Sequence, residues 1–180
     1  MSEAAAPFEL DFELGGAGWA VLRLSCGEAH HELDSISYLT DAFDDLIRIG
    51  IDIATDRGFG FARFEHEPGS TVLFAETGWW DGEGWIQGCR ISAIDWRDAR
   101  QGEPSWAALQ ASARLFVAQL GSRDEIAAAI LACAERVLAT HGIDGYSRLW
   151  TGRLGFPSRG LAALRAALST PCERRKGTNG

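Results

Sequence analysis

Asp41, Asp44 and Asp45 stand within "YLTDAFDDL" (Tyr38 to Leu46), at i, i+3 and i+4. On a helix that spacing places three carboxylates on one side, where a magnesium ion could be held for phosphate chemistry. Each aspartate also has an ordinary structural use. Near a helix start it meets the positive end of the macrodipole. Arg48, four residues after Asp44 and four before Asp52, can neutralise either one. The solvated helix side is the preferred reading, with no metal expected there.

"HHELD" (His30 to Asp34) offers a second metal-binding pattern. On a strand His30, Glu32 and Asp34 share one face and His31 points the other way, with Ala29 and Leu33. Ligands from one strand stand about 7 Å apart and need help from elsewhere, so this trio is a weak metal candidate. Arg153 and Arg159 flank the start of the last helical segment, where an anion could sit. No G-x-S-x-G elbow frames a serine, and neither H-E-x-x-H, a P-loop nor a G-x-G-x-x-G helix opening occurs. No catalytic residue is assigned, and no cofactor is expected.

The tryptophans carry more information. Three of the seven bracket one turn, in "WWDGEGW": Trp79, Trp80 and Trp85 around Asp81 to Gly84. Neighbours on a strand face opposite ways, so Trp79 and Trp80 cannot both enter one core. One of them is expected at the surface beside Asp81 and Glu83. An exposed indole in acidic surroundings suits an anchor for a protein partner. A Trp covered by a helix is the structural alternative.

The composition narrows the classes. With 180 residues, 46% hydrophobic and 23% charged, the chain suits one ordinary globular domain. A net charge of −8 argues against a nucleic-acid backbone as partner and favours a basic one. Cys26, Cys89, Cys133 and Cys172 are widely separated, a spacing suited to neither zinc nor a disulfide framework; Cys89 and Cys133 read as core thiols. The acidic N-terminus does not resemble a signal peptide, and no unbroken apolar run approaches ~18 residues. A cytoplasmic protein without a membrane span is expected.

The elements that must position these residues follow from periodicity. "FELDFEL" alternates strictly, with Phe8, Leu10, Phe12 and Leu14 on one face. "GGAG" turns the chain into "WAVLRLS", and "AHHELDSI" returns, giving an antiparallel meander. A helix of about 17 residues, Thr40 to Asp56, follows with Thr40 as N-cap and Phe43, Leu46, Ile47, Gly50 and Ala54 inward. Two strands joined at "EPG" come next, then another from Trp85. Residues 105–120 fit strand or helix, with "ASARLFVAQL" favoured as strand. Ser122 to Glu125 matches a capping box, opening a helix that Gly142 should stop. A short piece around "DGYSRLW" and a helix from Ser158 to Leu168, entered through Pro157, complete the domain.

Several short motifs occur in a familiar order: "GAGWA", "SYLTDAFDDL", "EPG", "HGIDGYSRLW" and "FP". Together they resemble a family of small bacterial cytosolic proteins to which no activity is attached. The likeness spans most of the chain, supports its organisation and transfers no catalytic residue. Phe43 stands where the pattern leads one to expect leucine, a change within core chemistry.

The expected architecture is α+β over 1–170: one antiparallel sheet of about seven strands, a helix inserted after the third, and a C-terminal helical cluster on one face. Residues 171–180 are expected to form a disordered polar tail. The expected function is that of a non-enzymatic protein-binding module, for example an immunity-type inhibitor of a basic toxin or nuclease. The alternative is a ligand-binding protein or enzyme with a pocket between sheet and helices, using His30, Glu32 and Arg153.

Overall fold

A computed structural model of the chain describes residues 6–55, 57–66, 69–96, 105–150 and 155–170. It begins with strands β1 (Phe8–Gly16), β2 (Trp19–Cys26) and β3 (Ala29–Ser37), then helix α1 (Ala42–Ala54). Strands β4 (Phe59–Glu65), β5 (Ser70–Trp80) and β6 (Trp85–Asp95) follow, then helix α2 (Trp106–Ala111) and strand β7 (Arg114–Leu120). Helices α3 (Arg123–Leu149) and α4 (Ser158–Ser169) complete the element order. The class is α+β with seven strands, as expected, but the strands form two antiparallel sheets rather than one. The first has order β1-β2-β3 and the second β4-β5-β6-β7.

The break falls at α1. Among the described residues the two sheets meet at an isolated bridge between Ile36 of β3 and His66, just past the end of β4. The end of β3 bends at a register shift against β2, where Ser35 takes φ +56. An extra residue there re-aims the strand. It also lets Leu33 and Ile36, three apart, both enter the core while Asp34 and Ser35 remain outside.

Helix α1 packs on β4, α3 and α4, and α3 also packs along β1. The helices therefore do not simply lie over one face. Phe43, Leu46 and Ile47 are fully buried, as the helical periodicity predicts. Phe43 joins an aromatic cluster with Phe12, Tyr146 and Phe156, its ring centroid 4.8 Å from that of Phe12. The first strand's inward row, Phe8, Leu10, Phe12 and Leu14, is buried in the same core.

Several local expectations change. Asp41 rather than Thr40 is the N-cap position of α1 and makes no side-chain cap, while the Thr40 hydroxyl donates to the Arg63 carbonyl at 3.2 Å. Residues 105–120 divide between helix and strand: Ser105 caps α2 by accepting from Ala108 N, and β7 follows. Ser122 opens α3, but its hydroxyl meets the Glu125 carboxylate instead of a backbone N–H. Gly142 interrupts the helix with φ +64 and ψ 177, after which helix resumes through Leu149. A left-handed residue ends a run of intrahelical bonds at little cost only when it is glycine.

By length and composition alone α3 is apolar enough to cross a membrane, a property that core helices of soluble proteins share. Its Ile126, Ile130, Cys133 and Val137 are buried in the core. The "EP" of the predicted "EPG" turn, the loop 97–104, Arg153 and the predicted tail 171–180 lie outside the described residues.

Candidate functional site

The hairpin of β5 and β6 carries the "WWDGEGW" turn, and its geometry is set by glycines. At Gly78, with φ +86, the register between the strands shifts. The alternation changes phase there. Before the shift, Glu76 pairs with Arg90 across the strands; after it, Trp79 comes to the same face, with the Arg90 guanidinium 4.4 Å above its ring. Trp79 is 5% exposed, packed over Gly88, where an added Cβ would lie 3.1 Å from the ring. Trp80 is 59% exposed and Trp85 50% exposed, and the two are direct cross-strand partners. One of the adjacent pair is thus inside and one outside, as strand alternation requires.

The turn that joins them is ordered by its own aspartate. The Asp81 carboxylate accepts from the backbone N–H groups of Glu83 and Gly84, both at 2.9 Å, and Asp81 N donates to the Gly84 carbonyl at 3.1 Å. These backbone donors hold the Asp81 carboxyl below its ordinary value, so it stays charged. Trp85 lies across Gly78, where an added Cβ would come within 2.6 Å of its ring. The tip therefore presents two indoles and two carboxylates, Asp81 and Glu83, on a pre-formed turn.

Behind Trp79 lies a charged cluster that sequence reasoning missed. Glu76 is wholly buried and accepts from Arg90 Nε at 2.5 Å and Arg114 at 3.4 Å. Burial pushes its carboxyl up, against the pull of both guanidiniums. An acid within the apolar run "TVLFAE" was the available signal.

The "HHELD" residues do not converge. His30 lines a pocket of about 680 Å³ beside α3, Asp34 lines a separate recess of about 220 Å³ with His66, and Glu32 borders both. Glu32 is already held by Arg23 at 2.7 Å. Among the described residues no group of three or more His, Cys, Asp and Glu side chains is placed to hold a metal. His31, which the alternation turns inward, borders both spaces, and its Nε2 is buried without a partner.

The α1 aspartates are not fully solvated. Asp41, Asp44 and Asp45 are each only partly exposed, and Arg48 pairs with Asp45 at 2.9 Å rather than with Asp44 or Asp52. Asp52 instead meets Arg57 at 3.3 Å. Burial, then the neighbouring Asp44 charge, raises the Asp41 carboxyl above its ordinary value. Arg159 is exposed at the start of α4. Cys26, Cys89 and Cys133 are free, and burial pushes the Cys89 and Cys133 thiols up to about 12, which leaves them inert at neutral pH.

No family model, curated protein or solved structure matches this chain.

Proposed function

We propose that this protein is a binding module that docks a basic protein partner on the tip of the β5–β6 hairpin. The observation that supports this most directly is the exposed Trp80–Trp85 pair beside two carboxylates on a turn that is already ordered. An indole face attracts Lys and Arg side chains through its quadrupole, most strongly when the cation leaves water. Asp81 and Glu83 add a local negative field, and the chain as a whole carries −8. A pre-formed turn loses little conformational freedom on docking. An immunity-type inhibitor that blocks a basic toxin or nuclease is one concrete form of such a module, and the cytoplasm is its proposed compartment.

The test is partner capture from the producing cell with the wild type, Trp80→Ala and Trp80→Phe, each checked by thermal melting. Trp80→Ala should melt near the wild type yet lose a Lys- and Arg-rich partner, with a cost of ~2 kcal/mol or more in affinity. Trp80→Phe should retain part of the binding. If the variants and the wild type retain the same proteins equally, the hairpin tip is not the docking surface.

A further inference from the structure

Inside the second sheet an arginine already sits between an indole and a carboxylate. The Arg90 guanidinium lies 4.4 Å over the Trp79 ring while its Nε donates to Glu76 at 2.5 Å. Two properties of the side chain allow this. A guanidinium is flat and weakly hydrated, so it stacks on a ring at little desolvation cost, and its N–H groups point outward in its own plane toward a carboxylate. A lysine ammonium is a compact, strongly hydrated point charge and does not combine the two.

The hairpin tip carries the same two components on its outside. Trp80 and Trp85 face each other across the strands. On the next pair Asp81 N donates to the Gly84 carbonyl, so Trp80 and Trp85 occupy a non-hydrogen-bonded position, where facing Cα atoms stand only about 4.5 Å apart. Cross-strand partners also share a face of the ladder. The Trp85 ring is backed by Gly78, which fixes it on the hairpin and leaves it half exposed. Among the described residues the cations that lie over rings are Arg90 on Trp79 and Arg114 on Phe74, and none covers Trp80 or Trp85. Asp81 is charged, but its Oδ1 is already taken by the N–H groups of Glu83 and Gly84. Glu83, exposed on the same turn, is the carboxylate open to an incoming donor.

We propose that the partner inserts an arginine side chain at this tip, with its guanidinium against the exposed indoles of Trp80 and Trp85 and its N–H groups on the Glu83 carboxylate. The inference deepens the hairpin reading and rests on it: the feature recognised is arginine, not basic charge in general. Attraction to a chain of net charge −8 treats lysine and arginine alike. Stacking on an indole combined with a directed bond to a carboxylate does not.

The experiment uses acetylated hexa-arginine amide and hexa-lysine amide as probes, because the two carry equal charge. Binding is followed by calorimetry and by the indole N–H signals of Trp80 and Trp85 in the NMR spectrum of the full chain, assigned with Trp80→Phe and Trp85→Phe. The expected result is saturable binding of the arginine peptide, both indole signals moving along the same curve, and the lysine peptide about tenfold weaker. Trp80→Ala should bring the arginine peptide down to the affinity of the lysine peptide, and Glu83→Gln should weaken it by up to about fivefold. Equal affinity for the two peptides, with both indole signals moving, would overturn arginine recognition and leave the basic-partner reading standing. Indole signals that stay fixed with both peptides, or undiminished binding of hexa-arginine to Trp80→Ala, would overturn the two together.

Discussion

Arg90 Nε donates to Glu76 Oε1 at 2.5 Å from the position directly opposite it on the neighbouring strand, and the same guanidinium lies 4.4 Å over the Trp79 ring. Arg90 thereby links the charged cluster of the second sheet to the root of the hairpin that bears Trp80. Two guanidiniums, those of Arg90 and Arg114, contact this one fully buried carboxylate. The arrangement is sensitive to loss of a single partner, because a buried charge left behind keeps its desolvation cost.

Glu76→Ala is therefore expected to destabilise the fold by about 3–5 kcal/mol in chemical denaturation. Replacing Glu76, Arg90 and Arg114 together by apolar residues of similar volume should cost much less than the single change. A small effect of Glu76→Ala, with the triple variant worse, would mean that the charges are not coupled.

Gly78 tests the hairpin's construction. Gly78→Ala places a Cβ where φ is +86 and where it would meet the Trp85 ring at 2.6 Å. Both effects oppose the native tip, so a loss of more than ~1 kcal/mol is expected. Trp85 fluorescence should shift as its indole is displaced. Unchanged emission and stability would contradict the packing of Trp85 on this glycine.

Trp79 and Trp80 should behave differently in spite of being adjacent. Trp79→Ala removes a ring packed on Gly88 and Arg90, and should cost about 3–5 kcal/mol in stability. Trp80→Ala removes a mainly exposed ring, and should stay within the usual surface range of about 0.5 kcal/mol. Melting curves of the two variants, compared directly, decide the matter.

Leu46 is fully buried on α1, and Leu46→Ala should cost about 2–5 kcal/mol through lost transfer energy and a residual cavity. An effect near zero in equilibrium unfolding would place this face of the helix outside the core.

Asp41 gives a prediction in pH. Its carboxyl is raised by burial and by Asp44, and Oδ1 is buried without a partner. A carboxyl with a raised folded-state pKa contributes stability that is full below its unfolded value of about 3.9 and is lost as pH rises through the raised one. Asp41→Asn should therefore raise the melting temperature at pH 7, with the advantage over the wild type shrinking as pH falls toward 4. A constant difference across that window would show that ionisation of Asp41 is not the cause.

Much of the secondary structure was legible because its causes are local. The strict alternation from Phe8 to Leu14 gives β1, and the 3.6-residue period of Phe43, Leu46, Ile47 and Gly50 gives α1. Alternation also required that Trp79 and Trp80 separate, and the turn chemistry of Asp81 to Gly84 marked the hairpin tip. What the chain's local pattern does not contain is which surfaces meet. The division into two sheets depends on a bend at Ser35 and on α1 lying between β4 and α3. Which tryptophan turned inward depended on a phase change at Gly78, visible only once the strands were paired. Glu76 meets Arg114, 38 residues away in the chain, only because β6 pairs with β5 on one side and β7 on the other. Propensity and periodicity act between neighbours in sequence, whereas burial, ion pairing and cavities arise from residues that packing brings together over long distances.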